Sequence, residues 1–313
     1  MPYKVTVDQT EVHPIITLIN SDTQCVAEIY AFGALLNKFS IPVNGKAANV
    51  IDGFNSAKDA VAHITNGFKS ARLSPFTCRL NKGEYYFNHE HYKIEKFYYP
   101  PHAIHGITFD ALYEIKDTYQ DDTHASVTLH NHYNGSDKGY PFSYDVTIKW
   151  TLANDNKITV RTAVHHSNKV SIPYAEGWHP YFTLGTSIND CTLQFDSNTM
   201  LEFNETLVPT GNKLNDERFL KGMELQDTFL DNCFELSEQR PSKCVLLNGQ
   251  LRLTILPEAS YPYLQIYTPP HRNSIALENL SAPPDAFNNG IGLKLLDPNQ
   301  TYTFATSYIL KVV

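Results

Sequence analysis

ASVTLHNHY (Ala125–Tyr133), YDVTIKWTL (Tyr144–Leu152) and KITVRTAVH (Lys157–His165) alternate apolar and polar residues with a period of two. Side chains of a strand point to opposite faces in turn, so each segment reads as a strand with one buried face. Asn134-Gly135-Ser136-Asp137 and Asn154-Asp155-Asn156 separate them, and these residue types favour turns. The three segments therefore predict a meander of antiparallel hairpins. The same cadence continues outward in both directions. Pro14–Ile19, Cys25–Tyr30 and Tyr92–Phe97 precede the meander, and Leu251–Leu256 and Tyr263–Tyr267 follow it. Asn20-Ser21-Asp22 and Asn44-Gly45 supply further turns. Helical signal is confined to two short places, a turn capped by Ser56 and running through Ala62, and Asn215–Leu220. No internal repeat, low-complexity segment or Pro/Ser-rich linker interrupts the chain. The expectation is an all-β protein, a large antiparallel β-sandwich forming one domain over residues 1–313.

Composition narrows the function classes. A net charge of −8 without a long basic run argues against nucleic acid or an anionic membrane as partner. The 19 Tyr and 17 Phe against 3 Met favour strands and ring-lined grooves over helical bundles. Cys25, Cys78, Cys191, Cys233 and Cys244 are scattered and odd in number, with no CxxC and no zinc-type spacing to histidine. Free thiols in a reducing compartment fit this pattern best, with one or two disulfides as the alternative. The first residues, MPYKVTVDQTEV, lack the apolar core of a signal peptide, and no run is long and apolar enough to span a bilayer. A cytoplasmic location is the expectation.

Four stretches carry residues suited to chemistry. YAEGWHPYFTL (Tyr174–Leu184) sets His179 between a tryptophan and a proline, with Tyr181 and Phe182 beyond. Pro180 biases His179 away from helix, so a rigid strand end is expected. Aromatic rings beside a titratable group suit a sugar's C–H faces and hydroxyls, and a histidine packed in the core is the alternative. FKSARLSPFTCRLNKGEYYF (Phe68–Phe87) places two arginines around a proline segment. Arg72 reads as a surface arginine on a strand. Arg79 stands open between that reading and a guanidinium forking onto sugar hydroxyls. Asn81-Lys82-Gly83 reads as a hairpin turn. PPHAIHGITF (Pro100–Phe109) brings His102 and His105 into a loop, but their spacing matches no metal motif, so no metal is expected.

ALENLSAPPDAFNNG (Ala276–Gly290) ends a strand-like run at Glu278. A carboxylate there suits a general base or a pin for the following loop. Asp285 reads as a turn residue. In DTFLDNCFEL (Asp227–Leu236), Asp227 and Asp231 are each candidates to accept sugar hydrogen bonds, or plain loop acids. No dinucleotide fingerprint, P-loop or GxSxG occurs.

Taken together these segments resemble the aldose 1-epimerase (galactose mutarotase-like) family over nearly the whole chain, in order. RLNKGEYYFN (Arg79–Asn88) is similar to the family's arginine hairpin, HGITFD (His105–Asp110) and GWHPYFTL (Gly177–Leu184) to its histidine motifs, and FLDNCFEL (Phe229–Leu236) to its aspartate segment. LENLSAPPDAFNNG (Leu277–Gly290) is similar to its glutamate signature, and LLDPNQTYTFATSYIL to its closing strands. The resemblance implies a β-sandwich with a groove for a free hexopyranose and no cofactor. By position, Glu278 would be the general base on the anomeric hydroxyl and His179 the general acid on the ring oxygen, on opposite sides of the ring. Arg79, His105 and Asp231 would hold the sugar, with Asp227 close enough to Asp231 to compete for its role.

The resemblance has departures. Gly-Trp-His-Pro-Tyr-Phe is closer to the glucose-6-phosphate epimerase-like branch than the Asn-His-Ser-Tyr-Phe type segment of free-sugar mutarotases. That branch's arginine-rich early segment is missing. Lys69, Arg72 and Arg272 are candidates for a phosphate site. The leading expectation is an isomerase of free aldohexose anomers. The alternatives are a hexose-6-phosphate 1-epimerase, a non-catalytic carbohydrate-binding protein, and a polysaccharide hydrolase or lyase on the same scaffold. The paired Glu278 and His179 favour an enzyme over a binder. The absence of a large helical stretch disfavours the hydrolase or lyase.

Overall fold

The computed structural model describes residues 1–10, 13–237 and 242–313. Among the described residues the meander lies within a nine-stranded antiparallel sheet. In spatial order the strands are Glu114–Gln120, His124–Tyr133, Tyr144–Ala153, Lys157–His165, Thr301–Val312, Leu251–Pro257, Cys244–Leu247, Thr192–Phe195 and Met223–Glu224. Burial alternates strictly along Tyr144–Ala153 and Lys157–His165, as the period-two pattern requires. A second antiparallel sheet runs Pro209–Asn215, Thr199–Phe203, Asp231–Glu235, Tyr263–Tyr267, Ile275–Leu280, Gly177–His179 and Ala71–Leu73, with Tyr181–Phe182 also pairing Ile275–Leu280.

The inner faces of the two sheets share one core. It joins Val127, Ile148 and Val160 of the first sheet to Leu264, Leu277 and Trp178 of the second. Trp150 and Trp178 meet edge to face across the layers with centroids 5.4 Å apart. Thr306 Oγ1 donates across the same gap to Asn279 Oδ1 at 2.8 Å, which satisfies that oxygen, while Asn279 Nδ2 is buried without a partner among the described residues. A five-stranded N-terminal sheet (Tyr3–Asp8, Ile15–Asn20, Cys25–Tyr30, Leu36–Val43, Lys46–Asn49) adds Ile16, Leu18 and Phe39 to this core.

The Ser56 turn is present as the helix Ala57–His63, with Ser56 Oγ accepting from Asp59 N at 3.1 Å. Three local expectations need correction. Tyr92–Phe97 is not one strand, since pairing ends at Lys93. Ile94 N donates to Gly83 O, and the Asp137 carboxylate takes the Glu95 and Lys96 amides, so the ladder has no donors left there. Asn215–Leu220 is not helical. Asn215 closes a strand, and the Asp216 carboxylate caps the following turn by accepting from Arg218 N at 3.2 Å. Asn81-Lys82-Gly83 does turn the chain, but not as a hairpin. The strand before it, Arg79–Leu80, pairs with His102–Ile104, and the strand after it, Glu84–Phe87, pairs with Glu90–Lys93.

Candidate active site

Alternation decides what the second sheet presents outward. On Gly177–His179, Trp178 points into the core while His179 faces the other way, opposite Ala71 on the neighbouring strand. Gly177 is required for this pairing. A Cβ there would stand 2.4 Å from Leu280 Cδ2 and 2.7 Å from Asn279 O. On Ile275–Leu280, Leu277 faces the core and Glu278 faces outward, directly opposite Gln265 on the next strand. Asp231 lies on the strand beyond, opposite Tyr267. These side chains line a cleft of about 470 Å³ together with Arg79 and His105, a size ordinary for small-molecule sites. Phe68, Phe97, Tyr181 and Phe229 give it aromatic walls. A larger depression, about 930 Å³, is walled by Glu28, Asn37, Asp52 and Lys69, but its Lys69–Asp52 ion pair at 2.6 Å is closed on itself.

At the cleft floor His179 Nε2 stands 3.3 Å from Glu278 Oε1, with the side chains 5% and 2% exposed. Burial disfavours the charged form of each group. It pushes His179 down to about 4 and holds the Glu278 carboxyl well above the usual carboxylate range, the Asp231 charge adding to the latter. The pair therefore retains one proton over a wide pH range, within hydrogen-bonding reach of both partners. The acid and base are thus side by side rather than across a ring. The chemistry permits this, because the anomeric oxygen and the ring oxygen of a pyranose are bonded to the same carbon.

His105 packs against His179 with ring centroids 4.9 Å apart and against Phe68 at 4.6 Å. Burial first, then the His179 and Arg79 charges, holds it neutral. Its position depends on Gly106, at φ 78°, where a Cβ would meet Ser74 O at 2.1 Å. Arg79 Nη2 lies 3.9 Å from Asp231 Oδ2, both groups being 17% exposed, and Gln265 Nε2 donates to Asp231 Oδ1 at 2.8 Å. Burial raises the Asp231 carboxyl, with Arg79 and Gln265 opposing. His105 Nδ1, His179 Nδ1 and Gln265 Oε1 are buried without a hydrogen-bond partner among the described residues. Buried polar atoms in that state are unusual and suit a hydroxyl-rich ligand.

The five residues expected from sequence thus converge on one cleft. Asp227 does not join them: it is exposed, while Asp231 lines the cleft. His102 is buried elsewhere, its Nδ1 accepting from Lys82 N at 3.2 Å. Asp285 is a structural residue as read. It accepts from Asn81 N at 2.8 Å, and its own amide donates to Arg79 O, which fixes the strand carrying Arg79. The surface reading of Arg72 is overturned, for Arg72 is fully buried against Glu176. Arg272 spends its guanidinium on Asn189 Oδ1 and the Thr228 and Gln226 carbonyls. Arg79 is accordingly the one Lys or Arg side chain among the described residues lining the cleft.

Sequence reading missed Gln265, Tyr267 and the place of Cys78 in the cleft wall. A signal for the first two existed. In YLQIY the non-core face reads Tyr-Gln-Tyr, an odd face for a strand buried on both sides.

A family model described as aldose 1-epimerase matches residues 14–309, and the chain belongs to that family. It is 26% identical over 237 residues to an uncharacterized Escherichia coli K12 protein, YihR, covering 74% of this chain and 75% of the other. It is 23% identical over 192 residues to a Streptococcus thermophilus aldose 1-epimerase, covering 58% and 53%. Among solved structures, a Lactobacillus acidophilus galactose 1-epimerase superposes with a TM-score of 0.83 at 20% identity, covering 99% of this chain and 98% of that one. A Clostridium acetobutylicum galactose mutarotase-like protein gives 0.85 at 15%, also covering 99% and 98%. Among the described residues no helix is long and apolar enough to cross a membrane.

Proposed function

We propose that the protein is a cofactor-independent aldose 1-epimerase that interconverts the α and β anomers of a neutral, free aldohexose, and that residues 1–313 act as one domain. The contact between His179 Nε2 and Glu278 Oε1 at the cleft floor carries the reading. The domain reading is supported by a core cluster drawing on residues from Tyr3 to Leu310. In the forward step the pair's shared proton first passes across the 3.3 Å contact from Glu278 to His179; Glu278 then takes the proton from O1 while His179 gives its proton to O5, and the C1–O5 bond breaks to leave an aldehyde. Rotation about C1–C2 presents the other carbonyl face. O5 then attacks C1, its proton returns to His179, and Glu278 protonates O1. Once the shared proton passes back to Glu278, both groups end as they began, so no cofactor enters the cycle. Arg79, His105 and Asp231 orient the sugar, and Arg79 stabilises charge growing on O5.

Charge supports a neutral substrate. One guanidinium faces the carboxyl groups of Asp231 and Glu278 in the cleft, and Lys69, Arg72 and Arg272 are engaged elsewhere. Polarimetry on fresh α-D-glucose and α-D-galactose should show acceleration over buffer. Anomer-resolved NMR on glucose 6-phosphate should show little. Acceleration with the phosphate alone would move the protein to a sugar-phosphate epimerase, and silence on all three would leave a carbohydrate binder.

Two further results are expected. The acid limb of kcat/KM should fall near about pH 4, because burial lowers His179 to about 4 and activity is lost as the pair gains its second proton. An acid limb at the ordinary histidine value of about 6.5 contradicts this. Asp231→Ala should raise KM by about tenfold or more, as loss of a charged hydrogen-bonding partner of about 1.5–3 kcal/mol implies. Asp227→Ala should leave KM within error, and the reverse ranking would exchange their roles.

A further inference from the structure

Cys78, His105 and Glu278 form a set that acid/base chemistry alone does not explain. One ligating atom from each lies within 4.8 Å of the others, and all three residues are buried. Cys78 Sγ donates to Glu278 Oε2 at 3.8 Å, while His179 Nε2 sits 3.3 Å from the other carboxylate oxygen. His105, only 9% exposed, has no partner at Nδ1 among the described residues. The backbone holds the set in place. His105 N donates to Cys78 O at 2.8 Å, and both residues occupy the left-handed region, at φ 62° and 48°. Two non-glycine residues held there side by side mark a site whose geometry the surrounding fold imposes.

We propose that this cleft binds a soft divalent cation, zinc being the type case, through the Cys78 thiolate, the His105 imidazole and the Glu278 carboxylate, and that the bound ion excludes the sugar. The competition with sugar rests on the function proposed above, whereas the ion binding does not. Sulfur, nitrogen and oxygen ligands from three side chains, with a fourth position open to water, match zinc's preferences. Magnesium and calcium demand oxygen ligands and are excluded by the same set. Ligand atoms on one tetrahedral zinc stand roughly 3.5 Å apart, as bond lengths of about 2.0–2.3 Å require. Binding therefore requires the three side chains, now within 4.8 Å of one another, to draw together to that spacing. On binding, the Cys78 thiol releases its proton to solvent as the S–Zn bond forms, and any proton on Glu278 leaves likewise. The two anionic ligands neutralise the ion's double charge, and Asp231 offsets the nearby Arg79. Zinc occupancy takes both the base and a sugar-holding imidazole out of use, so the ion inhibits epimerisation rather than assisting it.

The test is equilibrium dialysis of the full chain against zinc chloride and magnesium chloride, with cobalt(II) as a spectroscopic probe. One zinc per chain and no magnesium are expected, together with an intense near-ultraviolet thiolate-to-cobalt band. Cys78→Ala should abolish that band. It should also weaken zinc by more than the roughly 10–100-fold that loss of a supporting partner costs. Cys25, Cys191, Cys233 and Cys244 are buried, and all four remain in this variant. An unchanged band or affinity in Cys78→Ala overturns the proposal. If that variant does not fold, zinc should slow alkylation of Cys78 in the unmodified protein, and an unaltered rate is equally fatal. Zinc should raise the KM for galactose with kcat unchanged. A protein that epimerises sugar without binding zinc loses this site alone. A protein that binds zinc and turns over no sugar keeps the site and loses the function proposed above.

Discussion

Glu278→Gln should lower the epimerisation kcat by at least about 10²–10⁴-fold, the contribution typical of a positioned general base, while sugar binding survives. Glutamine preserves the size of the side chain opposite Gln265 and its capacity to bond sugar hydroxyls. It cannot take the O1 proton, and it leaves His179 without the partner with which it shares a proton. The interaction lost is one made in the transition state, so kcat should fall while KM moves little. Stopped-flow polarimetry for turnover, with calorimetric titration of galactose for binding, separates the two. A near-normal kcat removes Glu278 as the base. His179→Asn should show the same split, and the double variant should lose little beyond either single one, because the two groups act as a unit.

Arg72→Met should cost roughly 3–5 kcal/mol of stability, the range for leaving one half of a buried ion pair uncompensated. Arg72 and Glu176 are both fully buried, with Nη2 to Oε2 at 2.7 Å. Arg72 also donates to the Tyr174 hydroxyl and reaches Tyr113 Oη at 3.4 Å, and Tyr261 donates to the other Glu176 oxygen. Removing the guanidinium strands a carboxylate among tyrosines in a low-dielectric interior. Because Arg72 pairs opposite Trp178, next to His179, the loss also loosens the strand that aims the imidazole. Urea unfolding analysed by linear extrapolation measures the effect. Arg72→Met combined with Glu176→Leu should recover much of it, since replacing both charges by packed apolar groups is often neutral. A single variant within about 1 kcal/mol of the parent contradicts the account.

Much of the architecture was legible because burial writes itself into a strand locally. Lys157–His165 has the bounds the period-two pattern indicated, and Tyr144–Ala153 exceeds them by one residue. The failures lie in contacts the local pattern does not contain. At Tyr92–Phe97 the Asp137 carboxylate, from a distant loop, takes backbone amides that pairing would have used, and at Asn215–Leu220 the pairing of Asn215 with Thr199 carries a strand into the start of the segment. Arg72 failed for a related reason. A charged residue is assigned to the surface unless its partner is known, and Glu176 lies 104 residues away along the chain.

The alternation of apolar and polar residues along each segment already implied strands with a core face and an outward face, and so which side chains of each segment could reach a cleft. The sequence also supplied the residue types, two imidazoles, a guanidinium and the carboxylates, that sugar chemistry needs. Strand order and register were needed to reveal that His179 and Glu278 touch, that Asp231 rather than Asp227 enters the cleft, and that Cys78 lies against Glu278. Alternation is a property of a single strand and is fixed by backbone geometry. Contact between strands depends on register and sheet order, which are set by packing between segments far apart in the chain, 200 residues for Cys78 and Glu278 and 222 for Asp52 and Ser274.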